Sequence, residues 1–114
     1  MATTAKSFVD GLLLTASAAT YYTVPSTVST TAIIQALTVL NNDTVARTVT
    51  IYLIPTGVAA SNGFKVLSAK TLAPGQELVV YTALGKVMPS GGLIQALASS
   101  AGVVALQASG VEIT

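Results

Sequence analysis

Four carboxylates, Asp10, Asp43, Glu77 and Glu112, are the only acids in the chain, and it contains neither histidine nor cysteine. Without an imidazole or a thiol, Ser-His-Asp and Cys-His nucleophile systems cannot be assembled, and the usual zinc sites are excluded as well. What these residue types leave open is acid–base work by two facing carboxylates, as in glycoside hydrolysis. The four lie in separate segments, however, and a chain of 114 residues has little mass left to wall a substrate cleft around any two of them. No catalytic, cofactor-binding or metal-ligating residue is expected.

Other local patterns read as structure. Asn41-Asn42-Asp43-Thr44 offers oxygens to calcium but lacks the alternation of a calcium loop, so an Asx-type turn is the simpler reading. Asn42-Asp43-Thr44 also fits the N-glycosylation pattern, which without a secretory signal is again a turn. "TGVAASNG" at 56–63 has glycines but no lysine poised before a helix, and reads as a connector. Lys65, Lys70 and Lys86 are scattered without interleaved aromatics, and a net charge of +1 gives little steering field, so no nucleic-acid partner is expected.

The exterior that must carry any function is unusual. Charged residues make up 8% of the chain, against roughly a quarter in ordinary soluble domains, and mean hydropathy is +0.74. Thr, Ser, Asn, Gln and Ala must therefore form most of the surface, which is neutral, small-featured and suited to packing against protein neighbours. A membrane span is not the explanation, because Gln35, Thr38, Asn41 and Asn42 interrupt the best apolar stretch. The opening "MATTAKSFVDGLLLTASAAT" imitates a signal peptide through Lys6, Leu12 to Leu14 and Ala16-Ser17-Ala18, but Asp10 and Gly11 break its apolar core. Synthesis in the cytoplasm is expected.

The elements that position these surfaces are strands. Turn signals at Val24-Pro25-Ser26, Asn41-Asn42-Asp43, Thr56 to Gly63, Ala73-Pro74-Gly75, Pro89 to Gly92 and Ser100 to Gly102 separate short runs rich in Val, Ile, Thr and Tyr. The pattern predicts an all-β chain forming a single antiparallel β-sandwich, jelly-roll-like or Ig-like, of about seven or eight strands. Residues 1–19 form an N-terminal arm or edge strand, and 20–114 the sandwich. In "VARTVTIYLI", Val45, Val49, Ile51 and Leu53 share one face and Ala46, Thr48, Thr50 and Tyr52 the other, with the Arg47 guanidinium reaching the rim. Pro74-Gly75 predicts a type II turn at a hairpin or tight corner. In "VVALQASGVEI" the apolar phase changes at Ser109-Gly110, which predicts a bulge returning Val111 and Ile113 to the core.

"IIQAL" at 33–37 and "LIQAL" at 93–97 are nearly identical. Each copy follows a Pro-containing turn and leads through a polar break into an alternating strand. The two are expected to open equivalent hairpins in the two halves of the sandwich, each near the middle of a sheet.

"TYYTVPSTVSTTAIIQALTVLNNDTVARTVTIYLIPTG", followed by "TLAPGQELVVY" and the closing "ASGVEIT", resembles a group of small β-sandwich structural proteins of tailed bacteriophage virions. The resemblance covers residues 20–114 and rests on structural motifs: an aromatic-Thr-Val-Pro opening, an Ile-rich strand ending in Asn, a Val/Thr strand ending in Pro, a Leu-Ala-Pro-Gly turn and a terminal Ser-Gly-Val-Glu. It implies a non-enzymatic virion part made in the cytoplasm of a bacterial host, either a capsid decoration subunit or a tail, collar, baseplate or fibre-associated component. A carbohydrate-binding or adhesin module is the alternative of another class. Other virion proteins, the capsid protein first, are the expected partners.

The candidate interface residues follow from chemistry. Phe8, Val9, Leu12, Leu13 and Leu14 make the N-terminal segment more apolar than a free tail tolerates, so the arm is expected to clip onto a neighbouring subunit or to form an edge strand of its own sandwich. Of the adjacent Tyr21 and Tyr22, one must point outward, and Tyr21 is taken as the exposed one. Tyr52 lies on a low-charge face suited to contact, from which a homo-oligomer, most simply a trimer, is expected.

Overall fold

The computed structural model describes residues 2–26, 29–56, 58–59 and 61–114, so Met1 of the arm and Gly57 and Ala60 of the 56–63 connector lie outside the described residues. Among those described, nine strands run in chain order: β1 (Thr3–Leu13), β2 (Ala19–Thr23), β3 (Thr31–Asn41), β4 (Arg47–Ile54), β5 (Lys65–Leu72), β6 (Glu77–Val79), β7 (Val87–Met88), β8 (Leu93–Ala98) and β9 (Val104–Ile113). They form two antiparallel sheets. The first has the order β1-β9-β3-β6, with β7 also paired to β3, and the second β2-β8-β4-β5.

The pairings nest: β1 with β9, β2 with β8, β3 with β6 and β7, β4 with β5. A single long hairpin rolled on itself has this pattern, which is the jelly-roll order and not the Ig-like one. β6 and β7 act as one strand interrupted by a 3-10 turn at Tyr81–Ala83, so the expected seven or eight strands hold when the two are counted together.

β3 and β8, which carry the repeated pentapeptides, are each interior to a sheet, as expected. The expected hairpins are not there. β3 leads to β4, and β8 to β9, across the sandwich from one sheet to the other. The reason is edge occupancy: β3 already has β9 on one side and β6 and β7 on the other, and β8 has β2 and β4. No edge is left for the following strand, and both connections become arches.

Between the sheets, Ala32, Ile34, Leu37 and Val39 of β3 and Val104, Leu106 and Ala108 of β9 meet Ile94, Ala96 and Ala98 of β8 and Val49 and Ile51 of β4, all buried. Val49 and Ile51 therefore behave as the alternation requires, Leu53 is partly buried against the same core, and Val45 lies outside the strand, half exposed. On the opposite face Thr50 is covered: its hydroxyl accepts the N–H of Ala69 at 3.0 Å from a bulge in β5, where Ala69 adopts φ 45.

The bulge expected in β9 lies instead in its neighbours. Val104, Leu106, Ala108 and Gly110 keep one inward phase, while the register shifts at Phe8 of β1 and at Gln35 of β3. Val111 and Ile113 stay in the outward phase, and Glu112 takes the inward one. Gly110 is required by close approach: a Cβ there would stand 2.0 Å from the Ile33 carbonyl oxygen and 2.9 Å from the Phe8 ring.

Of the two alternatives expected for the N-terminal segment, a clip or an edge strand, the described residues fit the edge strand. β1 is an edge strand of the same sandwich, hydrogen-bonded along β9 from Thr3 to Leu13. Its bulge turns both Phe8 and Val9 inward, and Leu14 is fully buried. The Phe8 ring stacks on Tyr22 with centroids 4.4 Å apart.

Pro74-Gly75 forms the expected turn, with Gly75 at φ 73 and Gln76 N–H donating to Ala73 O at 3.0 Å. It is a corner, since β5 and β6 belong to different sheets. Asn41 anchors it from the end of β3. The buried Asn41 amide donates to Val45 O and Leu72 O at 3.0 Å and to Ala73 O at 3.3 Å, and its Oδ1 accepts Asp43 N–H at 2.9 Å, the expected Asx turn.

Candidate interaction surface

The carboxylates that open the chemical question are mostly engaged in holding the fold. Arg47 Nε donates to Asp43 Oδ2 at 2.7 Å, with Nη2 also 2.7 Å from that oxygen, and this hydrogen bond, with a second from Thr44 N–H, holds the Asp43 carboxyl below its ordinary range. Glu112 accepts the Tyr22 hydroxyl and has Lys6 Nζ at 3.5 Å. Burial first, then the Glu112 hydrogen bond and charge, raise the Tyr22 phenol above its ordinary value. Asp10 accepts from the Ser7 hydroxyl. Among the described residues, no three His, Cys, Asp or Glu side chains gather where a metal ion would sit.

The predicted interface residues separate into two groups. Phe8, Val9 and Leu14 are core, for the reasons given, and offer nothing to a partner. Leu12 and Leu13, 48% and 50% exposed, remain available at the end of β1. Of the tyrosine pair, Tyr22 is buried and Tyr21 is half-buried, its hydroxyl accepting Thr15 N–H at 3.0 Å over the 15–17 segment. Tyr52 is half-buried on the outside of the second sheet, with Lys65 Nζ 5.8 Å from its ring centroid. It stands opposite Gln95, whose amide reaches Thr20 Oγ1 at 2.9 Å.

The register assembles a broader surface on the outside of the first sheet, because directly paired residues project to one face. Row by row across β1, β9 and β3 it reads Leu13–Ala105–Leu40, Asp10–Gln107–Thr38, Ser7–Ser109–Ala36, Ala5–Val111–Ile33 and Thr3–Ile113–Thr31. Glu77, Val79 and Val87 extend the rows of Leu40, Thr38 and Ile33 onto β6 and β7. Among the described residues, Asp10 and Glu77 are the charged side chains in these rows, and Lys6 lies beside Ser7 and Ser109 at the β1 edge. Its middle is small and polar, with shallow depressions around Ser7, Ala36, Thr38 and Ser109, and an apolar row lies toward each end.

Val79, Tyr81 and Val87, 39%, 76% and 63% exposed, border this face along the interrupted strand, and sequence reasoning did not single them out. The signal was weak, since "ELVVYT" reads as an alternating strand and conceals that Tyr81 begins a 3-10 turn at an open sheet edge. Compared with protein-family models, with curated proteins and with solved structures, the chain matches none.

Proposed function

We propose that this chain is a non-enzymatic structural protein of a tailed-phage virion, acting as an external decoration subunit that stabilises the capsid. The observation that carries the reading is the outer face of the first sheet: five cross-strand rows with two charges, small side chains in the middle and apolar rows toward both ends. Such a face offers area, rigidity and little desolvation cost, which is what an adhesive subunit needs and a soluble catalyst does not. The phage resemblance of residues 20–114 points the same way, and the jelly-roll order is a fold used by viral capsid and lectin domains alike.

In this reading the face replaces the N-terminal clip as the docking element, with Leu13 at one corner. The subunit assembles as a trimer on the shell, and several modest contacts made together exceed the affinity of one. The capsid protein is the partner, the virion the location, and the host cytoplasm the place of synthesis.

The test adds purified protein to undecorated shells and counts bound copies while the particles are heated. Wild type should bind and raise the disruption temperature, and Ala36→Arg, an exposed change in mid-face, should weaken binding at least about tenfold, or 1.4 kcal/mol. Protein that ignores shells but binds tails, collars or fibres would make the runner-up correct. A carbohydrate module is the second reading, motivated by the Tyr52–Gln95–Thr20 row on the second sheet. Specific hits on a glycan array that vanish in Tyr52→Ala would favour it.

A further inference from the structure

Two open sheets leave four edges, β1 and the interrupted β6 and β7 on the first and β2 and β5 on the second, and three of the four are blunted. β2 is five residues long and shifts register between Thr20 and Tyr22. β5 shifts register on either side of Ile51, holds Ala69 at φ 45 and carries Lys65 and Lys70. β6 and β7, three and two residues long, are parted by the 3-10 turn at Tyr81–Ala83. Bulges, lysines and short strands are the devices by which sheets discourage an added strand. β1 differs, because it keeps an unbroken register with β9 from Thr3 to Ser7 before its first bulge.

The ladder fixes where the free backbone groups of that stretch point. Ala2 and Thr114 exchange both of their backbone bonds at 2.9 Å. In an antiparallel pair such residues alternate with ones that turn N–H and C=O the other way. Ala2, Thr4 and Lys6 are therefore bonded to β9, while Thr3, Ala5 and Ser7 present both groups to the open side, where no backbone partner among the described residues meets them. β2, on the same flank of the second sheet, runs back from the Leu14 end and stops at Thr23, one residue past the Tyr22 ring stacked on Phe8. Residues 3–7 lie beyond it, and all of them are exposed.

We propose that this edge pairs with the same edge of a second copy of the chain, β1 antiparallel to β1, about a two-fold axis at Ala5. That register sets Ala5 against Ala5 of the second copy and Thr3 against Ser7, so each free N–H meets a free C=O, as when an added strand extends a sheet. All three side chains are small enough for the close spacing of directly opposed residues. Thr4 stands opposite Lys6 of the second copy. A lysine would ordinarily deter pairing, but the Lys6 ammonium lies 3.5 Å from Glu112, so its charge enters the joint already compensated. Continuity identifies the occupant: the row Ile33–Val111–Ala5 meets its own image, and one apolar row crosses the outer faces of both copies. A foreign strand gains the main-chain bonds without this match. The bulge at Phe8 stops both strands at the same place, and a self-complementary joint occupies both edges, so it does not propagate into a fibre. A two-fold joint cannot close a trimer; on the shell it links one trimer to the next, and it stands independently of the virion reading.

Light scattering and sedimentation of the purified full-length chain should show a concentration-dependent dimer. Ala5→Pro removes an N–H that the protomer does not use, at an edge position where proline is tolerated, and should weaken dimerisation at least about tenfold while the unfolding midpoint of the dissociated chain holds. Register is read separately, since the chain has no cysteine of its own. Thr4→Cys chains mixed with Lys6→Cys chains and oxidised should give the mixed disulfide in preference to either like pair, because these positions face each other across the axis as a non-hydrogen-bonded pair, the closer of the two kinds. A strict monomer at the highest soluble concentration, a dimer indifferent to Ala5→Pro, or like chains crosslinking as readily as unlike ones would each overturn the assignment. Should Ala5→Pro lower the unfolding midpoint, the disulfide pattern alone decides.

Discussion

Removing the Asn41 side chain amide should reveal how much of the sandwich hangs on one buried polar group. Asn41→Ala deletes an accepted bond from Asp43 N–H and donations shared among the carbonyls of Val45, Leu72 and Ala73. An NH₂ group has two hydrogens, so three bonds are lost in effect, each worth roughly 0.5–1.5 kcal/mol net. Val45 and Ala73 are exposed residues whose carbonyls can rehydrate, whereas Leu72 is fully buried and its carbonyl has less access to water. The sum comes to about 2–4 kcal/mol, a large share of the 5–15 kcal/mol of a typical domain. Urea unfolding followed by circular dichroism measures it, with Asn41→Asp as the discriminating partner. A carboxylate facing three carbonyls has its folded pKa raised, so Asn41→Asp should be closest to wild type at pH near 4, where the acid is protonated, and fall further behind as pH rises. An Asn41→Ala midpoint within about 0.5 kcal/mol of wild type at unchanged slope, or an Asn41→Asp deficit independent of pH, would refute the account.

Gly110→Ala places a methyl 2.0 Å from the Ile33 carbonyl oxygen in a central strand, so it should cost about 3 kcal/mol or more and lower the melting temperature by on the order of 10 °C in calorimetry. Gly75→Val meets no atom within 4 Å but holds a β-branched residue at φ 73, and a urea titration should show a loss of about 1–3 kcal/mol from backbone strain alone. Because the folded Asp43 carboxyl titrates below its unfolded value, its contribution is present above about pH 4 and is lost as pH falls through the folded value. The acid limb of the stability profile should therefore flatten in Asp43→Asn, as measured by thermal melts from pH 6 down to pH 2.

Strand type and turn chemistry were legible because each is local. The alternation of Val49, Ile51 and Leu53 and the positive φ demanded at Gly75 depend on neighbours within a few residues, and both appear as read. Pairing is not local. Nothing near Gly110 indicates that the extra residue belongs to β1 and β3, and so the outward phase of Val111 and the inward Glu112 were read the wrong way round. The apolar run at Phe8 to Leu14 was equally ambiguous, since a clip and a core edge strand have the same composition; the bulge that buries Phe8 and Val9 together decides it. Tyr81 and the open Thr3–Ser7 edge emerge only when distant segments are brought together.

The nested pairing also sets the order in which the molecule can be completed. The second sheet closes with β8, but β9 lies between β1 and β3, so the first sheet has no continuous ladder until the final strand slots into its middle. A chain emerging from the ribosome must hold β1 and β3 apart, each with an open edge, until that insertion. Closure of such long sequence separations is slow, and the waiting state presents two templates for pairing with another chain. Refolding yield should therefore be governed by concentration during this one step, and truncation before Val104 would remove the middle residue of every row on the outer face of the first sheet.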